Sequence, residues 1–252
     1  MELTNRTILI TGASSGIGEA LARRLAHFKC SLILVSRRKE ILDKLKEELK
    51  QKANSIITLQ CDVSSKTEVT KIFDFIHDKK IKIDIAILNA GIGNEMKVEN
   101  YDSAIAEKIF NTNVLGMIYF IEKLIPEFIQ RRSGIIAGIS SLADNRGYSR
   151  SGFYCASKAA ISVYLESLRL EFKPYGVKVI TIKPGFVKTP MTSKNKFPMP
   201  FIISAENAAD IIIKGIQKEK RVIQFPMPTV ILSRLVGLLP TNIYEYLASK
   251  II

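Results

Sequence analysis

A tyrosine and a lysine stand four residues apart, as Tyr154 and Lys158 of the stretch YCASK, inside a long helical pattern. Residues four apart lie on one face of a helix, so the phenol and the ammonium group project together. The pKa of a free tyrosine is about 10, and a neighbouring positive charge favours the phenolate. The pair can therefore exchange a proton near neutral pH. In an arbitrary helix, however, such a pair is usually a surface pair.

Two other polar positions are candidates for the same site. The apolar run Gly134–Ile139 ends in Ser140 and Ser141, and α/β folds place ligand-contacting residues beyond the carboxyl ends of their strands. A serine hydroxyl there can bind a substrate oxygen and stabilise its developing charge, although Ser140 alone could be an ordinary loop hydroxyl. The amide of Asn113, near the end of a helical pattern, could hold a water that relays protons to Lys158, or could simply interrupt a helix.

A glycine-rich loop near the start of the chain could hold phosphate groups. The predicted strand Thr7–Ile10 runs into TGASSGIG at residues 11–18, and a helical pattern follows at once. Glycines in such a loop allow a tight turn, a close approach to pyrophosphate and close helix packing. The helix start adds N–H groups and a favourable dipole. This context favours dinucleotide binding over a plain tight turn. The loop residues expected to contribute are Gly12, Ser14, Ser15, Gly16, Ile17 and Gly18.

The end of the second predicted strand indicates which dinucleotide fits. An NAD site places an acidic side chain there for the ribose 2′-hydroxyl, but this sequence has Ser36, Arg37 and Arg38. Guanidinium groups suit a 2′-phosphate, so NADP is expected, with NADPH preferred over NADH. A basic turn at a helix start is the alternative. Residues after the third and fourth strands are expected to hold the adenine and approach its ribose: Asp62, Val63, Asn89, Ala90 and Gly91.

Alternating strands and helices must position these residues. Short apolar runs predict seven strands, at Thr7–Ile10, Ser31–Val35, Ile56–Gln60, Asp84–Leu88, Gly134–Ile139, Lys178–Ile182 and Val222–Phe225. Amphipathic patterns predict helices at Gly16–Phe28, Lys39–Gln51, Lys66–Asp78, Val114–Arg132 and Tyr154–Tyr175. Continuously apolar strands are typical of a parallel sheet covered on both faces. The sequence predicts a Rossmann-type, doubly wound α/β fold with a seven-stranded parallel sheet and helices on both faces.

Composition limits the remaining possibilities. The 252 residues, 47% of them hydrophobic, suit a single domain over residues 1–252. The net charge of +13 is interpreted as a solvated lysine-rich surface, because no nucleic-acid motif accompanies it. Cys30, Cys61 and Cys155 form no CxxC pair, which favours a reducing, cytoplasmic location and predicts no metal site.

Together the motifs resemble those of the short-chain dehydrogenases/reductases of the single-domain, NADP-dependent kind. The resemblance spans Thr7 to Met191 and includes TGASSGIG, NAG at 89–91, Asn113, Ser141, YCASK and PGFVKTP at 184–190. It implies hydride transfer between nicotinamide and a carbonyl or secondary alcohol carbon. One departure is Leu88, which stands where many members have another asparagine.

The resemblance also implies a role for each matching residue. Tyr154 would be the acid for ketone reduction and the base for alcohol oxidation. Lys158 would bind the nicotinamide ribose and lower the tyrosine pKa, while Ser141 would orient the carbonyl and Asn113 would hold the relay water. Arg37 would match the arginine of NADP-dependent members. The nicotinamide pocket would be formed by Pro184, Gly185, Val187 and Thr189. Pairing of two long helices would give a homodimer or homotetramer.

The last third of the chain bears on substrate and partners. The Met-, Phe- and Pro-rich segment 190–204 is a predicted lid that suits an apolar ketone or packs on its own protein. The C-terminal stretches Thr229–Gly237 and Thr241–Ile252 are predicted apolar helices with scattered lysine and arginine. Packing on a subunit or lid is favoured there over contact with a membrane surface. The alternative functions are a non-catalytic dinucleotide sensor or a reductase of a sugar, steroid or acyl-carrier substrate.

Overall fold

Seven parallel strands form one sheet in the computed structural model, which describes residues 1–195 and 197–250. The strand order is β3-β2-β1-β4-β5-β6-β7. The first three strands are added toward one edge of the sheet and the last four toward the other, so the order reverses between β1 and β4. The strands are β1 Thr7–Thr11, β2 Ser31–Ser36, β3 Ser55–Gln60, β4 Ile85–Leu88, β5 Ile135–Ile139, β6 Lys178–Pro184 and β7 Val222–Phe225. The predicted doubly wound α/β fold is confirmed, and a ligand cleft is expected where the order reverses.

Helices cover both faces of the sheet. They are α1 Gly16–Ala26, α2 Lys39–Leu49, α3 Lys66–Asp78, α4 Ser103–Phe110, α5 Gly116–Gln130, α6 Gly152–Glu171, α7 Ala205–Gln217, α8 Met227–Leu238 and α9 Thr241–Ser249. In β1, Ile8 and Ile10 pack with α1, α2 and α7 on one face, whereas Leu9 packs with α3, α5 and α6 on the other. Because adjacent strand residues point to opposite faces, every central strand must be apolar throughout.

Two helices, α4 and α7, were not predicted from the sequence. Helix α4 has only eight residues and buries only Ile109, so its apolar side is too short to be recognised as a helical pattern. Helix α7 has such a stripe but follows directly on the predicted lid, and the hydroxyl of its cap residue Ser204 accepts a hydrogen bond from Asn207 N. The predicted helix from Val114 begins instead at Gly116, after a π-helical turn over Asn111–Leu115.

The C-terminal stretches form two helices that bury little. Helix α8 buries Val230, and α9 has no buried residue within the described chain. The predicted stretch to residue 252 includes Ile251 and Ile252, and the predicted lid includes Lys196; all three lie outside the described residues. Within residues 1–195 and 197–250, no helix combines the length and apolar character that crossing a membrane requires.

Candidate active site

A cleft at the carboxyl ends of the strands collects nearly all of the predicted site residues. Those that line it are Gly12, Ser14, Ser15, Gly16, Ile17, Arg37, Arg38, Asp62, Val63, Asn89, Ala90, Gly91, Ser141, Tyr154, Lys158, Pro184, Gly185, Val187 and Thr189. Gly18 and Asn113 do not line the cleft, and both lie behind its surface. Gly18 is buried in α1, and Asn113 is fully buried in the π-helical turn.

Tyr154 and Lys158 face the cleft from the first two turns of α6. The lysine side chain is buried, with 4% of the residue exposed. Its Nζ donates a hydrogen bond to the Ile139 carbonyl at 2.9 Å, and it lies 5.7 Å from the centroid of the Tyr154 ring. The carbonyl at the end of β5 therefore fixes the ammonium group beneath the tyrosine ring.

Burial shifts the pKa of both groups toward their neutral forms. It lowers the pKa of Lys158 to about 8 and raises the pKa of Tyr154, against an opposing side-chain hydrogen bond with Ser141. The sequence led us to expect a lowered tyrosine pKa. The structure shows the reverse for the protein's own groups, because loss of hydration disfavours the phenolate and the ammonium group is directed at the Ile139 carbonyl.

The two adjacent serines have different surroundings. Ser141 Oγ accepts a hydrogen bond from Ala143 N at 3.1 Å and donates to Pro184 O at 3.4 Å, and its hydroxyl opposes the rise in the Tyr154 pKa. Ser140 points the other way, and its Oγ donates to the Lys158 carbonyl at 2.9 Å. Both serines line the cleft, and Ser141 is the one whose hydroxyl affects the Tyr154 pKa. Its predicted role toward a carbonyl oxygen stays a prediction.

A buried polar network behind Ser140 was not found from the sequence. The carboxylate of Asp144 pairs with Lys183 Nζ at 2.6 Å, and only 6% of the Asp144 side chain is exposed. Ser162 Oγ lies within hydrogen-bond distance of this carboxylate and, at 2.8 Å, of Ser140 Oγ. The network connects β6 and α6 beneath the site. No spacing rule relates these residues, because they come from three separate elements.

Asn113 joins the loop after β4 to α6. Its Oδ1 accepts from Ile92 N at 2.8 Å, and its Nδ2 donates to Ile92 O at 2.9 Å and to Ser157 Oγ at 3.0 Å. Both amide protons are therefore used within the protein. The predicted holding of a relay water stays a prediction, and the amide could serve it only as an acceptor.

The glycine-rich loop has the backbone geometry that its sequence predicts. Gly12 and Gly16 have φ values of +66° and +58°, where a side chain would be strained. A Cβ at Gly18 would lie 2.3 Å from the Gly12 carbonyl oxygen, so α1 can pack here only without a side chain. Asn89 Nδ2 donates to Thr11 O at 3.0 Å, and the Thr11 hydroxyl accepts from Asn89 N and Ala90 N. This role of Thr11 was not predicted from the sequence.

Arg38 reaches across from the end of β2 to the glycine-rich loop. Its guanidinium group donates to Ser14 Oγ at 2.8 and 3.1 Å and to Ser15 Oγ at 2.7 Å. Ser36, where an NAD site places an acid, is buried, and its hydroxyl accepts from Arg38 N at 3.1 Å. One positive charge and two hydroxyls therefore meet at this end of the cleft.

Arg37 points to the neighbouring strand. Its Nη1 lies 3.7 Å from the Asp62 carboxylate, and 60% of its side chain is exposed. Burial on its own would raise the pKa of Asp62, but hydrogen bonds from Ser64 and the charge of Arg37 hold that pKa below its ordinary value. Asp62 therefore carries its negative charge at neutral pH. It fixes Arg37 near the mouth of the cleft.

The predicted nicotinamide end of the cleft is enclosed by later segments. A Cβ at Gly185 would lie 2.9 Å from Thr229 Cγ2, so the start of α8 packs on this loop. A Cβ at Gly16 would lie 3.0 Å from Thr189 Cγ2. The lid returns to the fold at Ile203, whose N–H donates to Phe186 O at 3.1 Å. In the described part of the lid, Met191, Phe197 and Phe201 expose 41%, 41% and 55% of their surface.

The chain is similar in sequence to known proteins. The family model for the short chain dehydrogenases matches residues 6–198. An "Uncharacterized oxidoreductase" of Myxococcus xanthus is 31% identical over 250 residues, covering 99% of each chain. A protein named "NADP-dependent 3-hydroxy acid dehydrogenase" in Schizosaccharomyces pombe is 29% identical over 236 residues, covering 88% of this chain and 90% of its own.

Solved structures share the fold. A short-chain dehydrogenase from Sphingobium yanoikuyae in complex with NADPH superposes with a TM-score of 0.81 at 24% identity, covering 94% of this chain and 97% of its own. A short chain dehydrogenase/reductase from Burkholderia phymatum in complex with NAD gives 0.85 at 21% identity, covering 93% and 94%. With the family model matching more than half of the residues, the chain is a member of the short-chain dehydrogenase/reductase family and an oxidoreductase of that type.

Proposed function

We propose that this protein is an NADPH-dependent carbonyl reductase that converts an apolar ketone into a secondary alcohol. The observation that carries the proposal is the meeting of Tyr154, Ser141 and the buried Lys158 in the cleft that also contains the glycine-rich loop. A proton donor, a hydroxyl for a carbonyl oxygen and a phosphate-binding loop are what such a reduction needs.

The residues present fit a bound dinucleotide. The start of α1 offers its N–H groups to the cleft without a side-chain cap from Ser15, and Gly12 and Gly91 also line this end of the cleft. Tyr154, Lys158, Pro184, Gly185, Val187 and Thr189 surround the other end. When bound, the cofactor supplies the hydride. Among the described residues there is no group of three or more His, Cys, Asp or Glu side chains that could hold a metal ion.

The protein's own groups donate the proton and stabilise the negative charge that develops on the carbonyl oxygen. Ser141 Oγ donates a hydrogen bond to the carbonyl oxygen and holds it beside the phenol. Tyr154 gives its proton to that oxygen as charge develops there, and its raised pKa keeps the proton on the phenol beforehand. The Lys158 ammonium group then stabilises the phenolate. We assign Asn113 to holding the relay water through acceptor contacts.

The preference for NADPH is supported by the charges at the end of β2. Arg38 with Ser14 and Ser15, and Arg37 beside them, form a donor-rich corner for a 2′-phosphate. Asp62 and Val63 would hold the adenine, with Asn89, Ala90 and Gly91 near its ribose. The named NADP dependence of the yeast relative agrees. The related folds, with NADPH in one case and NAD in the other, favour neither cofactor.

The apolar substrate class is supported by the lid. Met191, Phe197 and Phe201 present exposed apolar side chains, and Met191 Sδ lies 3.6 Å from a Cβ built on Gly93, next to Tyr154.

The test is NADPH oxidation with ketones of increasing chain length, alongside sugars and acyl thioesters. We expect kcat/KM to rise with chain length. Preference for a sugar would contradict the substrate class, and tight NADPH binding without any turnover would instead support a dinucleotide sensor.

Assembly and location complete the proposal. Helix α6 exposes 67% of Val163 and 72% of Leu170, one heptad apart on one face, which supports a homodimer or homotetramer paired through α5 and α6. Cys30, Cys61 and Cys155 are free and buried, which agrees with a cytoplasmic location. The net charge of +13 is spread over the chain, and we assign no nucleic-acid partner to it.

A further inference from the structure

Helix α8 presents a continuous apolar stripe to solvent. Met227, Ile231, Leu235 and Leu238 expose 59%, 54%, 58% and 82% of their surface. Their spacing of four, four and three residues places them on one helix face. The opposite face is the one that packs on the protein, through Val230 and through Ser233, whose Oγ donates to Leu142 O at 3.2 Å. The exposed apolar stripe is therefore separate from the side of α8 that packs on the protein.

Helix α9, which follows α8 in the chain, also exposes apolar side chains on one face. Ile243, Tyr246 and Leu247 share one face and expose 49%, 61% and 46%, whereas Glu245 lies on the opposite side of the helix. The helix is held chiefly by Tyr244, whose hydroxyl donates to Gly147 O at 2.5 Å. Contiguous exposed apolar side chains on this scale mark an interaction site. We call the outward faces of α8 and α9 together the C-terminal apolar face.

A groove lined with positive charge adjoins the C-terminal apolar face. Four cationic side chains line it, Lys214, Lys218, Lys220 and Arg234, together with Met227 of the stripe. The groove lining contains no aspartate or glutamate, and none of the four cations forms an ion pair within residues 1–195 and 197–250. Glu219, the nearest acid in the sequence, pairs with Lys178 instead. At the far end, Lys250 Nζ lies 4.3 Å from the centroid of the Tyr246 ring.

These charges discriminate between the two occupants that could cover the face. In a symmetric dimer the same patch meets itself, so the groove cations of two copies would be brought together and would repel. An anionic lipid surface offers acyl chains to the stripe and phosphate groups to the cations, and each basic residue near such a surface strengthens the attraction. Charge complementarity therefore selects the lipid surface.

We propose that the C-terminal apolar face and its basic groove dock this protein on an anionic membrane surface. The helices would lie in the plane of the interface, as amphipathic helices with a basic flank do. Because Thr229 of α8 packs on Gly185 at the cleft, docking would bring the active site close to the membrane. The proposal stands on this surface alone and does not depend on the reaction assigned above.

The experiment is co-sedimentation of the full chain with vesicles of phosphatidylcholine, with or without phosphatidylglycerol. We expect binding to the mixed vesicles only, and its loss at high salt. The double variant Ile231→Glu/Leu235→Glu should lose binding at least tenfold while keeping its melting temperature. Phe75→Glu, which adds a charge at a partly exposed apolar position on α3, is the matched control and should bind like wild type.

A second variant tests the proposal without any change to α8, so that a loss of binding cannot be attributed to misfolding of that helix. Lys218→Gln/Lys220→Gln changes only exposed side chains and should weaken binding to the mixed vesicles about tenfold or more. Equal binding of both vesicle types by wild type, or no binding at all, would overturn the proposal. So would a lipid-free dimer, seen by sedimentation velocity, that Ile231→Glu/Leu235→Glu converts to monomer.

Discussion

At the scale of single residues, the site depends on a lysine whose charged form is disfavoured by burial. Lys158 is buried and donates to the Ile139 carbonyl, so its charge is kept where hydration is lost. The same burial keeps Tyr154 protonated. Each group is therefore less stable in its charged form than it would be in water, and formation of the phenolate beside the ammonium group relieves both at once.

The Lys158 pKa predicts a pH dependence of stability. Its value in the folded protein, about 8 against an ordinary 10.5, means that between these pH values the unfolded chain binds more protons. Lys158 should therefore contribute a rise in the free energy of unfolding from about pH 8 to 10.5, and its full shift corresponds to about 3 kcal/mol. The buried cysteines, whose pKa values are raised, act in the opposite direction in both proteins. Urea unfolding at several pH values should show the free energy of unfolding of wild type rising relative to that of Lys158→Met over this range; parallel curves for the two proteins would contradict it.

The predicted preference for NADPH over NADH depends on Arg38 and Arg37. Removing a charge-assisted contact to a phosphate costs about 1.5–3 kcal/mol, so Arg38→Ala should raise the KM for NADPH about 10- to 100-fold. NADH, which lacks the 2′-phosphate, should be affected little. Arg37→Ala should act in the same direction, and steady-state kinetics with each cofactor measure both. Arg24→Ala, which removes an exposed ion pair with Asp210, is the control. Equal losses for NADH and NADPH would refute the assignment.

Residue types and spacing predicted most of the residues that line the cleft, but not the buried polar network behind it. The glycine-rich loop, the β2 arginines and the Tyr154–Lys158 pair could be found because each motif is local, and its chemistry follows from its own neighbours. Asp144 and Lys183 could not be found, because a buried ion pair between a loop and β6 leaves no trace in either segment. The tyrosine pKa was misjudged for the same reason, since burial is a property of the folded chain.

At the scale of elements, the cleft is built where helices begin. Helix α1 starts directly after the loop from β1, and α6 starts two residues before Tyr154. Gly18 lets α1 approach the β1 turn, where its missing side chain would meet Gly12 O and Asn89 Nδ2. The position of the phosphate loop therefore depends on the packing of one helix against one turn.

Gly18→Ala tests that packing. The added Cβ would lie 2.3 Å from a backbone oxygen, so α1 must move, and overpacking of this kind costs about 1–3 kcal/mol. We expect a lower melting temperature and weaker NADPH binding, measured by thermal denaturation and fluorescence titration. Gly152→Ala is matched to it, because that glycine also lies in a helix start but has no atom within 4 Å of the added Cβ. Wild-type binding by Gly18→Ala would contradict the account.

Strands were predictable here and two helices were not. Every observed strand begins within one residue of its predicted start, because strands buried on both faces need unbroken apolar runs with polar boundaries. Helix α4 is short and buries only Ile109, so its apolar pattern covers too few residues to predict a helix. The π-helical turn at Asn113 likewise has no local sequence signal, although it places the amide against Ile92 and Ser157.

At the scale of the whole molecule, two exposed apolar surfaces lie on different elements. The C-terminal apolar face is bordered by cations, which favours lipid. The α6 face carries Val163 and Leu170, with Glu166 between them in sequence, and has no comparable cluster of one charge. A self-complementary surface must avoid like charges, so α6 is the better candidate for subunit pairing.

Val163→Glu/Leu170→Glu should dissociate the assembly. Two buried like charges would face each other across the symmetric interface, and the exposed positions in the single chain should tolerate them. Light scattering coupled to gel filtration should give a dimer or tetramer for wild type and a smaller species for the variant. Phe75→Glu should leave the assembly unchanged. A wild-type mass equal to one chain would contradict pairing altogether.

The measurement that tests the central claim most directly is NADPH turnover by Tyr154→Phe, made together with an NADPH titration of the same variant. The substitution removes the proton donor and leaves the aromatic ring, so the titration should match that of wild type. Loss of a general acid typically lowers kcat by about 10²- to 10⁴-fold, and the account predicts a loss in that range. Turnover by Tyr154→Phe at the wild-type rate would show that the phenol does not supply the proton.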